Sequence, residues 1–135
     1  MEYQDPIAIA NYFISLSLEE NKPLTNYKLQ KMLFLVNQLS QKNTSQLLFS
    51  ENFQLTAYGS FLPSVHEEFG GFGADIITGM HGQFEYKNGN PFKAQYVPFN
   101  KNSVNKDVQV LCRKVFNKYI DCTLPELLTK YNILK

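Results

Sequence analysis

Hydrophobic positions along the chain fall into stretches of helical spacing, interrupted by a middle region that follows no single period. The first stretch covers 6–20. Ile7, Ala10, Ile14 and Leu18 form one apolar stripe, and Ile9, Phe13 and Leu16 form another. Apolar residues on two sides predict a helix packed against more than one neighbour. Asp5 supplies the N-cap, and Pro6 takes the first helical position, where its missing N–H costs nothing. Asn21-Lys22-Pro23 ends the run.

The second stretch, 26–41, contains no Gly or Pro and has Thr25 as its N-cap. Leu29, Met32, Leu33, Val36 and Leu39 repeat at helical spacing, while Phe34 and Leu35 widen the apolar arc almost all round. Lys31, Gln38 and Lys42 align along the narrow polar strip that remains. A helix of this kind belongs at the centre of a small domain.

The pattern then changes. Phe53, Leu55 and Ala57 alternate with Gln54, Thr56 and Tyr58, which predicts a short extended segment interrupted by Gly59-Ser60. Pro63 opens a short helix through Val65, His66 and Phe69, closed by Gly70-Gly71. Residues 70–100 hold six of the seven glycines and two of the six prolines. They read as loops with one hairpin, turning near Asn88-Gly89-Asn90. Helical spacing returns after Ser103, which can cap a helix with core face Val104, Val108, Leu111, Val115 and Tyr119. Its outer face is Lys106, Arg113 and Asn117. Thr123-Leu124-Pro125-Glu126 is a capping box for a last short helix through Leu127, Leu128 and Tyr131.

Together these elements predict a mainly α fold, with an α+β arrangement as the alternative. The expected architecture is a compact bundle of about five helices around a central buried helix, with a short strand or hairpin in the middle region. No repeat or linker divides residues 1–135, so they form one domain.

Composition narrows the function. With 135 residues, 44% hydrophobic, and a net charge of +1, the chain can bury a core without staples and is too apolar for disorder. That charge balance also argues against nucleic acid as the main partner. The start Met1-Glu2-Tyr3-Gln4-Asp5 lacks a cationic leader, and no apolar run approaches the roughly 18 residues of a membrane span. A cytoplasmic protein is expected. Cys112 and Cys122 are too few for a disulfide framework or zinc cluster and read as reduced thiols. Twelve lysines against one arginine point to a coding bias, so lysine number alone is no electrostatic device. The half from 69 onward is mildly basic, with nine cationic against five acidic residues.

Candidate chemistry is sparse. His66, Glu67 and Glu68 are sequence neighbours, but the other histidine, His81, lies in a glycine-rich segment, so no zinc motif forms. Gly70-Gly71-Phe72-Gly73 fits no phosphate-loop spacing. Neither Cys112 nor Cys122 has a nearby histidine or a nucleophile elbow. No enzyme, metal or cofactor is expected. The eight tyrosines and eleven phenylalanines are a stronger signal. Phe61, Phe72, Phe84, Tyr86, Phe92, Tyr96 and Phe99 fall in the irregular middle region, where rigid aromatics can anchor a protein interface.

Two motifs carry a family resemblance. Leu24-Thr25-Asn26-Tyr27-Lys28-Leu29-Gln30-Lys31-Met32-Leu33-Phe34 resembles the LT-x-x-KLQKLLY opening of the Panacea domain, the SocA-like or GepA-like phage-associated family. Ala57-Tyr58-Gly59-Ser60-Phe61-Leu62-Pro63-Ser64-Val65 is similar to that family's second motif, A-x-x-YGP-V-x-P-x-V. Ala10-Asn11-Tyr12 and the segment 123–128 also fit. Ser60 stands where the family has proline, and Thr129-Lys130 replaces its closing Thr-His.

The resemblance implies a mainly helical antitoxin of a type II toxin–antitoxin or prophage locus, which neutralises a protein toxin encoded nearby by direct binding. A phage-associated module acting on a host protein without a cognate toxin is the alternative. Lys28, Gln30 and Lys31 carry over from the first motif, and Tyr58, Gly59 and Pro63 from the second, as signature or partner-binding positions. For Lys28 and Lys31 a structural role is equally open: holding the 57–63 segment through its backbone carbonyls.

Overall fold

The computed structural model describes residues 3–56, 59–69, 83–86, 94–97 and 104–121. Helix α1 is Pro6–Glu19 and helix α2 is Asn26–Thr44. Strands β1 (Gln54–Thr56) and β2 (Gly59–Phe61) form an antiparallel hairpin that runs directly into helix α3, Pro63–Phe69. Strands β3 (Gln83–Tyr86) and β4 (Ala94–Val97) pair as a second antiparallel hairpin, and helix α4 is Lys106–Tyr119. The fold is mainly helical, with four helices among the described residues. The expected fifth, over 123–128, lies outside them.

Local chemistry sets the helix starts. The Asp5 carboxylate accepts the Ile7 N–H at 3.0 Å, with Pro6 behind it at the first helical position. The Thr25 hydroxyl accepts the Lys28 N–H at 3.3 Å. Helix α4 starts later than the sequence suggests. Its cap is Asn105, whose Oδ1 accepts the Asp107 N–H at 2.9 Å, and Val104 enters the core ahead of the helix. Ser103 lies outside the described residues. Helix α2 extends to Thr44, three residues beyond the expected end, and closes on Ser45 in the left-handed region at φ 61°.

The core lies where α1, α2, α3 and α4 meet. Every residue of α1 from Ile9 to Ser17 is buried, because α2, α3 and α4 cover it on several sides. Its serines satisfy themselves: the hydroxyls of Ser15 and Ser17 donate to the carbonyls of Tyr12 and Ile14. Leu18, placed in a core stripe by its spacing, is instead exposed at the helix end. Helix α2 packs against α1, α3, α4 and β2, as expected of a central helix.

The polar strip expected on α2 is only partly solvated. Gln38 and Lys42 reach solvent, but Lys31 is buried. Gly59-Ser60 pairs with Thr56 and Leu55 as part of β2, so the expected interruption is the second arm of a hairpin. The expected hairpin in the 70–100 region is present, with Tyr86 paired to Ala94; the turn expected near Asn88-Gly89-Asn90 lies outside the described residues.

Candidate partner-binding site

The first signature motif occupies the opening turns of α2, and its polar side chains bind the backbone of other elements. Gln30 is the clearest case. Its Oε1 accepts the Leu62 N–H at 2.7 Å, and its Nε2 donates to the Leu62 carbonyl at 3.2 Å. That carbonyl also accepts the His66 N–H at 3.0 Å, closing the first turn of α3. The side-chain amide thus imitates a strand partner at the junction of β2 and α3. Leu62 is fully buried, so without this bracket its N–H would be stranded.

The same helix repeats the device along its length. Asn26 Nδ2 donates to the Phe69 carbonyl at 2.7 Å, tying down the end of α3. Asn37 Oδ1 accepts the N–H groups of Leu48 and Phe49 at 2.8 and 3.2 Å, fixing the segment that leaves α2. Ser40 Oγ donates to the Gln46 carbonyl at 3.0 Å. Lys28 Nζ donates to the Ile120 carbonyl at 2.8 Å, where the last carbonyls of α4 lack helical partners and the helix dipole favours a cation. Lys28 therefore does hold a backbone carbonyl, but at the end of α4. Gln30 holds the second motif.

Lys31 stands apart from its neighbours. It is only 3% exposed, and burial pushes its ammonium down to about 8. The second motif is fixed from two directions. Pro63 opens α3, and the Glu51 carboxylate accepts both the Ser64 N–H, at 2.9 Å, and the Ser64 hydroxyl. Gly59 begins β2 opposite Thr56. Tyr58 lies outside the described residues. Leu55, on the same hairpin, is 69% exposed.

The structure therefore gathers Gln30 and Pro63 at one junction, with Gly59 on the strand leading to it, and leaves Lys28 toward α4. Sequence reasoning missed Asn37, which follows the apolar run Met32–Val36 and gives no periodic signal. Asn26 was visible only as part of the motif.

The other candidates separate clearly. His66 is exposed, its ring edge-on to Phe61 with centroids 5.4 Å apart. Cys112 is fully buried, and burial pushes its thiol up to about 12, so it carries almost no thiolate at neutral pH. Phe84 and Tyr96 are register partners across the second hairpin, while Phe72, Phe92 and Phe99 lie outside the described residues. Among the described residues no three metal-ligating side chains converge, and no helix is long and apolar enough to cross a membrane.

Residues 29–131 match the family described as antitoxin SocA-like, Panacea domain, and the chain belongs to that family. The match takes in Gln30, Lys31, Tyr58, Gly59 and Pro63, and begins one residue after Lys28. No curated protein and no solved structure gives a match.

Proposed function

We propose that this chain neutralises a protein toxin, encoded beside it in a type II toxin–antitoxin or prophage locus, by binding it directly and without catalysis. The observation that carries this reading is membership of the SocA-like antitoxin family across most of the chain. Residues 1–135 act as one domain in the cytoplasm. Lys28, Gln30 and Lys31 serve as scaffold, and the hairpin whose junction with α3 Gln30 fixes presents the contact residues. Leu55 is the exposed apolar member of that hairpin, and Tyr58 of the second motif is the aromatic contact residue we assign. Rigid aromatics are frequent anchors of protein interfaces.

Growth rescue tests the reading. Inducing the adjacent open reading frame in a bacterial host should arrest growth, and co-expression of this chain, but of no unrelated domain, should restore it. A harmless neighbour, or toxicity that persists with both proteins soluble, would replace the antitoxin reading with a module directed at a host protein. Once the toxin is in hand, Tyr58→Ala should weaken the complex by about 2 kcal/mol with an unchanged melting curve. Unchanged affinity in the folded variant would remove Tyr58 from the interface.

A further inference from the structure

Helices α2 and α4 enclose a groove of about 430 Å³, which no other described element lines. Its floor is apolar: Val115 is buried, and Leu35, Leu39 and Tyr119 are half-buried along it. Its rim is cationic. Lys42 on α2 and Lys114 and Lys118 on α4 are exposed, and among the described residues no carboxylate lines the groove. The Lys118 ammonium is held at this edge, 5.5 Å from the centre of the Tyr119 ring.

The placement of these cations matters more than their number. On the side of α4 that faces α1, charges are neutralised within the protein: Arg113 pairs with Glu20 at 3.0 Å, and Lys22 pairs with Asp121 just beyond the helix at 2.9 Å. On the groove side, neither Lys42 nor Lys114 has an ion-pair partner among the described residues. The charges of Lys42 and Lys114 are thus not neutralised within the described residues, in contrast to those on the α1 side.

We propose that this groove docks an acidic amphipathic helix of the partner protein. Lys114 and Lys118, like Val115 and Tyr119, are four residues apart, and so are Leu35 and Leu39. Such rows form ridges between which a third helix can lie, with its apolar face on the floor and its carboxylates at the rim. The charge pattern would steer encounter and set register, and the apolar floor would supply most of the affinity. A phosphate backbone would leave that floor unfilled, and a net charge of +1 is low for a nucleic-acid binder.

For the identity of the partner as the toxin, this inference rests on the antitoxin reading. The test therefore has two arms. In the first, the full chain is titrated into a fluorescent synthetic peptide of about 18 residues, with leucines at helical spacing and glutamates flanking them. Binding is expected to fall about tenfold in Lys42→Glu/Lys114→Glu and in Leu39→Glu, and to weaken with salt. Circular dichroism on the lysine variant, whose changed side chains are both exposed, checks that it remains folded. Equal binding of a sequence-scrambled peptide, tighter binding of single-stranded DNA, unaltered binding by the variants, or no binding at all would each overturn the proposal.

In the second arm the lysine variant enters the growth-rescue assay. Loss of rescue is expected. Rescue retained after peptide binding is lost would overturn the groove as the toxin's dock and leave the antitoxin reading standing. A wild-type chain that binds the peptide but rescues nothing would remove the antitoxin reading and keep the groove as a dock for another acidic protein.

Discussion

Helix α4 buries Val108, Leu111, Cys112, Val115 and Phe116 on one side and turns Lys106, Arg113, Lys114 and Asn117 to solvent, whereas α2 buries Asn26, Gln30, Lys31, Asn37 and Ser40 among its leucines. The two helices pack against each other, yet they hold the fold by different means. Most of the contribution of α4 is apolar area, which is strong and non-directional. Helix α2 adds directional bonds to the backbone at Phe69, Leu62, Leu48 and Phe49. Area decides how firmly the domain holds together. The buried amides decide where each neighbouring segment sits.

Substitutions on the two helices should separate these roles. Phe116→Ala is expected to cost the most, about 4 kcal/mol in urea unfolding, because it empties a fully buried site on α4. Asn37→Leu should follow at about 3 kcal/mol, since two buried N–H groups lose one acceptor. Gln30→Leu should cost less, about 2 kcal/mol: the Leu62 N–H is stranded, but its carbonyl keeps the His66 N–H. A neutral Gln30→Leu would show that the hairpin is positioned by packing alone. An order with Gln30 above Asn37 would contradict the count of stranded donors.

Lys31 sharpens the comparison through the opposite sign. Its ammonium is pushed down to about 8 in the folded chain, against 10.5 for the ordinary group. Across that window the unfolded chain binds the proton more tightly, so stability rises as pH increases from about 8 toward 10.5. Lys31→Met should be more stable than the parent near neutral pH and should lose that rise. Parallel pH profiles of the urea midpoint for the two proteins would show that the buried charge costs nothing.

The same contrast explains what could be read in advance. Helix α4 follows the 3.6-residue pattern, so Val108, Leu111 and Val115 were placed in the core from spacing alone. Its start was misplaced by two residues because Ser103 and Asn105 are both good caps, and the choice depends on where Val104 enters the core. Periodicity sorts residues by polarity, so Lys31 was assigned to solvent, and it is silent on a buried amide such as Asn37. Gly59-Ser60 looked like a break because glycine disfavours strands, whereas pairing with Thr56 and Leu55 overrides the local preference. Gln30 was singled out through the family resemblance, and only the fold discloses that its partner is the Leu62 backbone, 32 residues away.

Cys112 gives the docking question a clock. The thiol is fully enclosed, and its high proton affinity leaves almost no nucleophile at neutral pH, so an alkylating reagent meets it only during transient openings of the core. With Cys122 replaced by serine, the rate of adduct formation by mass spectrometry counts those openings. A partner seated across α2 and α4, over Val115 and Tyr119, slows the count in proportion to its residence. Occupancy of the proposed groove can then be timed without labelling either protein.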